Sequence, residues 1–340
     1  MSKLKSEINE FDNVYQIKIG VPFPLKFVSL YLFNLNDQNI LIDAGLNMGN
    51  WSKIFFTALA DTNIDIEDID YCFITHLHMD HIGLVKTLKR KNPKLKIVMN
   101  DITHKIFQWE THDSSMNELI SEANKIASMM IKYGISKEQS KRVVQFFTFW
   151  PKFLRYQKAD IIVRDKDTFL DNLDIIWTPG HSFGHTCIYN QKSKHLFSGD
   201  HILSRITPHI GNFLIPNALK EEYEEYDFNN ILDLYLKSLD KIEKLNPKII
   251  FPAHQKIIYD SHKRILEIKE HHENRLSEIS SLIKEKPMTP FKISQIHFGT
   301  ELDEINSFLA LSEVLGHLFY LEDLGKISKF EKNGQIFYTS

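Results

Sequence analysis

Two cysteines in 340 residues cannot build a disulfide framework. Cys72 and Cys187 both lie inside apolar, strand-like runs, where a small buried thiol is the expected reading. No segment reaches the roughly 20 apolar residues that a bilayer-spanning helix needs, and the opening MSKLKSEINEFDN is polar, without the apolar stretch of a secretory leader. The expectation is a cytoplasmic protein that neither crosses nor is anchored in a membrane. An excess of basic charge is also lacking: 41 Lys and Arg stand against 44 Asp and Glu, for a net charge of −3. Residues 261–340 hold 10 Lys or Arg and 12 Asp or Glu, and Glu301 to Leu324 has six acidic residues and no basic one. Proteins that hold nucleic acid neutralise its phosphates with Lys and Arg, so nucleic acid is not an expected partner. What remains is ordinary globular material, 43% hydrophobic and 25% charged, long enough for one large domain and a small one.

Against this background one stretch stands out. His76-Leu77-His78-Met79-Asp80-His81 places four metal-binding side chains directly after an apolar run, Asp70 to Thr75, that reads as a strand; a helical pattern opens at Gly83-Leu84 and continues to Lys89. A lone histidine on a loop is usually solvated or capping. Four donors at this spacing reverse that reading, because a strand-to-helix loop can aim neighbouring side chains at different ions. Three later strand-like runs also end in a donor: Leu173 to Trp177 leads to His181, Leu196 to Gly199 leads to Asp200 and His201, and Ile249 to Pro252 leads to His254.

These motifs, THLHMDH at 75–81, PGHS at 179–182, SGD at 198–200 and PAH at 252–254, together with LIDAG at 41–45, resemble those of the metallo-β-lactamase-fold hydrolases, over residues from about 15 to 260. The resemblance implies an α/β fold, the four-layer αββα sandwich. It also implies a dinuclear site in which His76, His78 and His181 hold one ion, Asp80, His81 and His254 hold the other, and Asp200 bridges them. Ala253 replaces the family's usual glycine, and Ser29 stands where relatives often carry Asn. Relatives with a cysteine ligand have it where Asp200 stands, which argues against a cysteine-type lactamase, and the intact His78 favours hydrolysis over di-iron redox chemistry. Two divalent ions, zinc before iron or manganese, would share a hydroxide able to attack a small ester, thioester or lactone. Asp80 is the expected proton shuttle. Asp43 and His185 are candidates to orient the ligating histidines from behind. The alternative within the fold is an endoribonuclease or a nucleic-acid-binding module, which the charge balance disfavours.

The catalytic domain is expected to span residues 1–261, with a helical insertion over about 103–156. Within that insertion Asn117 to Tyr133 and Lys137 to Phe149 show apolar residues at helical spacing around Gly134. Its apolar residues, Ile120, Ile126, Met129, Met130, Phe146, Phe147, Phe149 and Trp150, exceed what two helices can hide between themselves. Packing on the main domain would cover them; a lid over the cleft or a homodimer surface is the functional alternative. His104, His112 and His209 read as surface or structural. Residues 262–340 carry helical patterns at Lys263 to Lys284, Phe291 to His297 and Glu301 to Leu324, then two strand-like runs around Asn333-Gly334, a strong hairpin signal. That order resembles a winged helix, here expected to serve packing or dimerisation.

Overall fold

The computed structural model describes residues 6–22, 25–211 and 215–340; the first five residues of the polar start lie outside these. A seven-stranded sheet runs in the order β1 (Ser6–Phe11), β2 (Val14–Gly20), β3 (Phe27–Leu35), β4 (Gln38–Ile42), β5 (Tyr71–Ile74), β6 (Lys96–Asn100) and β7 (Ile161–Val163). It is antiparallel up to β4 and parallel from β4 to β7. A second sheet has the order β12-β11-β10-β9-β8, from β8 (Thr168–Phe169), β9 (Leu173–Trp177), β10 (Thr186–Asn190), β11 (His195–Gly199) and β12 (Ile249–Pro252).

Strand periodicity sorts the side chains into layers. Tyr31 and Phe33 of β3 face the second sheet, where Phe33 stacks on Phe197 at 4.8 Å and Tyr31 meets Phe251 edge-on at 5.2 Å. Their neighbours Leu30 and Leu32 face the other way, into a core completed by Trp51 and Phe55 of α1 (Trp51–Ala60) and by Val85 and Leu88 beyond α2 (Met79–Ile82), on α3 (Val85–Lys91). Four further helices follow in the chain: α4 (Asp101–Thr111), α5 (Met116–Lys132), α6 (Lys137–Phe149) and α7 (Asn217–Glu222). On the outer face of the second sheet Ile176, Cys187 and Ile250 pack against Leu232, Tyr235 and Leu239 of α8 (Ile231–Leu245) and Ile265 and Ile268 of α9 (Ser261–Glu285). The result is a four-layer αββα sandwich.

The insertion helices form for local reasons. Ser136 and Gln139 make a reciprocal capping box at the start of α6, and Gly134, at φ +108°, turns the chain between α5 and α6 where a side chain would be strained. Their apolar faces do not pack on the sandwich alone, as the sequence reading favoured. Leu119, Ile126, Met130 and Val143 share one core with Ile279 and Ile283 of α9, with Ile293 of α10 (Pro290–Phe298) and with Phe308, Leu311 and Leu315 of α11 (Glu304–Asp323). The last elements, β13 (Ser328–Lys332) and β14 (Gln335–Thr339), pair across Asn333 and Gly334, both at positive φ as a tight hairpin demands. Because α9 begins in the core of the second sheet and ends in the core of the insertion, residues 261–340 are continuous in packing with the rest of the chain.

Candidate metal centre

Each donor sits just past a strand end, along one edge of the two packed sheets: His76 and His78 after β5, His181 after β9, Asp200 after β11 and His254 after β12. One local expectation changes. Asp80 and His81 are not on a loop but in the first turn of α2, with His78 at its N-cap; the chain turns helical as soon as His78 has been presented. The structure brings all seven sequence candidates together, as one group of His76, His78, His181 and Asp200 and another of Asp80, His81 and His254.

The donor atoms stand where shared ions would draw them. His78 Nδ1 lies 2.9 Å from His76 Nε2 and 3.0 Å from His181 Nε2, while His181 Nε2 is 3.4 Å from Asp200 Oδ2. In the other group His254 Nε2 is 3.4 Å from Asp80 Oδ2 and 3.4 Å from Asp200 Oδ1, and His81 Nε2 is 3.8 Å from Asp80 Oδ1. Ligands bound at about 2.0–2.1 Å around a tetrahedral ion stand about 3.3 Å apart. His81 Nε2, His254 Nε2 and Asp200 Oδ1 are buried and lack a hydrogen-bond partner among the described residues. Buried polar atoms are rarely left so; metal ions could supply what these three lack, and the donor residues fit such a role. The Asp200 carboxylate reaches both groups, with Oδ1 3.4 Å from His254 Nε2 and Oδ2 3.4 Å from His181 Nε2 and 3.7 Å from His81 Nε2.

Hydrogen bonds behind the donors fix which ring nitrogen faces the cleft. His81 Nδ1 donates to Asp43 Oδ2 at 2.7 Å. His76 Nδ1 donates to Thr75 Oγ1 at 3.0 Å, and that hydroxyl passes its own proton to Asp43 Oδ2, also at 3.0 Å. His181 Nδ1 donates to the His209 carbonyl at 2.9 Å and His254 Nδ1 to the Phe27 carbonyl at 2.6 Å. Asp43 thus orients two of the candidate donor rings, one directly. His185, the other sequence candidate for this role, touches no ligating ring by a hydrogen bond. Its Nε2 accepts the Asp200 N–H at 3.2 Å and its Nδ1 pairs with Thr178 Oγ1 at 2.8 Å, so it positions the Asp200 carboxylate through the backbone. Gly199 is required there: its φ is +48°, and a Cβ would come within 2.7 Å of His185 Nε2. Ser29 donates its N–H to the Ala253 carbonyl at 2.7 Å, which ties β3 to the turn that carries His254.

Electrostatics divides the site. Burial, helped by the charges of neighbouring histidines, lowers His76 well below its ordinary range and lowers His78 to about 3; burial also lowers His181. Burial opposes the charged forms of His81 and His254 too, but there the carboxylates win. Asp43, Asp200 and Asp80 hold His81 well above the ordinary range, and Asp200 with Asp80 raises His254 to about 10. Reciprocally, His81 and His254 outweigh burial to bring Asp80 down to about 2 and Asp200 well below the carboxylate range. Cys187 is pushed up to about 12 by burial, and Cys72 well above its ordinary value, as inert core thiols should be.

His209, read as surface or structural, is structural, and it supports a donor of the cleft, which the sequence did not show. Its carbonyl holds His181, and its ring Nε2 meets Ser312 Oγ at 2.8 Å and the Leu309 carbonyl at 3.1 Å, joining a ligand's support to α11. His201 is fully buried, neither ring nitrogen has a hydrogen-bond partner among the described residues, and its ring lies between those of His185 and Tyr235. A cavity of about 870 Å³ lies on the insertion, walled by Met116, Phe146, Phe149, Trp150 and Phe153 with Arg142 at its margin; none of the donors lines it. No helix among the described residues is long and apolar enough to cross a membrane.

A family model described as the metallo-beta-lactamase superfamily matches residues 24–254. Over 97% of its length the chain is 25% identical to a protein of Bacillus subtilis (strain 168) called probable metallo-hydrolase YqjP, 98% of which is covered. An atrochrysone carboxyl ACP thioesterase of Aspergillus fumigatus is 22% identical over 71% of the chain, which spans 55% of that protein. Among solved structures, a beta-lactamase domain protein from Burkholderia ambifaria superposes with a TM-score of 0.78 at 22% identity, over 98% of this chain and 94% of that one.

Proposed function

Because the chain belongs to the metallo-beta-lactamase superfamily, we propose that its cleft is a dinuclear centre that hydrolyses a small thioester, with simple esters and lactones as further members of the same substrate class. The observation that carries this reading is the pair of donor groups joined by Asp200, with three buried donor atoms that have no hydrogen-bond partner among the described residues. In this assignment His76, His78 and His181 hold one ion, Asp80, His81 and His254 hold the other, and Asp200 bridges. Zinc suits the set of imidazole and carboxylate donors, as do iron and manganese. Two such ions would supply a water acidic enough to ionise near neutral pH and positive charge beside the substrate carbonyl.

The chain's own residues do the rest. Asp43 and the carbonyls of Phe27 and His209 keep the far nitrogens of three rings protonated, so the near nitrogens present lone pairs without any rearrangement during turnover. Asp80 is the carboxylate proposed to take a proton from the attacking water and return it to the leaving group. The named thioesterase relative, and a net charge of −3 that offers little hold on a polyanion, favour a small acyl substrate over RNA. The arrangement of helices and hairpin after residue 261 is assigned to packing, not to reading nucleic acid.

The test is a panel of acyl-pantetheine thioesters, lactones, aryl esters and an RNA oligonucleotide, offered to full-length protein loaded separately with zinc, manganese and iron. Thioester turnover that disappears in Asp200→Ala, together with at least one bound ion, is expected. Cleavage of RNA with no acyl turnover, or two ions and full activity retained in Asp200→Ala, would overturn the assignment.

A further inference from the structure

Away from the cleft, the C-terminal helices hold another cluster of ligating side chains. His272 on α9 and Glu313 and His317 on α11 each place a donor atom within 4.8 Å of the others. Both histidines are fully buried and Glu313 nearly so. Glu313 and His317 are four residues apart and therefore share one face of α11, the face that α9 covers at His272.

The geometry repeats that of the cleft in two respects. His272 Nδ1 and His317 Nε2 are 3.0 Å apart, within 0.1 Å of the spacings that His78 makes with His76 and His181. In addition, His317 Nδ1 donates to the Glu313 carbonyl at 2.7 Å, the device that fixes His181 and His254 with their other nitrogens free to ligate. The Glu313 carboxylate is turned to the same place, with Oε2 accepting the Ile210 N–H at 3.2 Å. Its surroundings leave it short of compensation. Burial pushes its pKa up to about 7 against the pull of that N–H and of Arg275, whose Nε sits 3.8 Å from Glu278 and whose guanidinium lies over Phe298 at 5.0 Å.

We propose that His272, Glu313 and His317 form a further metal site, separate from the cleft, that binds zinc or a similar borderline divalent ion and ties α9 to α11. Two imidazoles and one carboxylate suit zinc, cobalt or nickel and are too few oxygens for calcium or magnesium; the fourth position of a tetrahedral ion falls to water. The ion would be structural in effect, because α11 also carries Ser312 and Glu313, which hold His209 and Ile210, the segment whose carbonyl orients His181.

Full-length protein is saturated with zinc, freed of loosely bound metal by gel filtration and assayed for zinc per chain, beside Glu313→Gln and His317→Phe. Each variant should carry one zinc per chain fewer than the parent while the cleft ions remain. In case a variant fails to fold, crystals of the unaltered protein are examined by anomalous diffraction at the zinc edge, where a peak between His272 and His317 is expected in addition to those in the cleft. Equal zinc content in a folded Glu313→Gln, or no peak at this position in crystals with a loaded cleft, would overturn the proposal and leave the cluster a hydrogen-bonded imidazole pair.

Discussion

Raising the pH of a zinc titration from 7 to 8 should strengthen uptake by the Asp80, His81 and His254 group about a hundredfold, and leave uptake by the His76, His78 and His181 group nearly unchanged. Without metal, His81 and His254 are held protonated by their carboxylate neighbours, His254 up to about 10. An ion entering that group must displace the Nε2 proton from each ring. Below the raised pKa values, each displaced proton makes the affinity rise about tenfold per pH unit, so two protons give about a hundredfold, or about 2.7 kcal/mol. The three histidines of the other group lie below their ordinary value; they are already neutral at pH 7 and release nothing. The sign is therefore the same as for any proton-metal competition, favouring metal at high pH, but it applies to one group only. Competition against a chromophoric chelator from pH 6.5 to 9, with calorimetry in buffers of different ionisation enthalpy, counts the protons. In His254→Gln the steep component should be reduced to a single proton. Zinc uptake without proton release at pH 7.5, or equal slopes for both ions, would refute the electrostatic division of the site.

Asp43→Asn removes the charge that accepts the His81 Nδ1 proton and should lower turnover at limiting zinc about 10–100-fold, with partial recovery in excess zinc; unchanged kinetics would dismiss the oriented ring as a requirement. Asp80→Asn should reduce the rate roughly 100-fold or more, and a near-normal rate would take Asp80 out of the proton pathway. Leu311→Ala, in the core shared by the insertion and the C-terminal helices, should destabilise by about 2–5 kcal/mol and expose α5, α6 and α9 together in hydrogen exchange; loss of protection confined to residues 261–340 would show that the two segments do not share a core. Cys72 and Cys187 should resist a thiol reagent at pH 8 until the protein is unfolded, because burial keeps both thiols protonated; labelling of the native protein at the rate of the unfolded chain would contradict their burial.

The sandwich and the donors were legible because the signal is local: a strand followed at once by a histidine or aspartate, repeated along the chain. α5 and α6 also begin and end within a residue of their sequence pattern, since Gly134 and the Ser136 cap are local signals too. What stayed hidden depends on distant partners. A main-chain acceptor such as the carbonyl of Phe27 or His209 has no residue-type signature, so nothing marks it as the support of a ligand. His185 sits four residues beyond His181, yet it reaches Asp200 because the strands pair, not because of spacing. The amphipathic face of the insertion announces that something covers it without saying what; the cover of Ile126 and Met130 lies on α9, α10 and α11, while Ile120 and Phe149 stay exposed. Glu313 and His317 are visible as a helical pair, but His272 joins them only when α9 folds back.

That shared core also sets an order on synthesis. Leu119, Ile126, Met130 and Val143 leave the ribosome well before Ile279, Ile283 and Leu311, their eventual cover; the 130 residues separating Phe149 from Ile279 take on the order of 10 s at about 5–20 residues per second. During that interval the second sheet and the helices that cover it are still being made, and the insertion shows an oily face. A message truncated anywhere before α10 therefore yields a sticky chain instead of a shortened enzyme, and chaperone capture of such fragments should centre on residues 116–149.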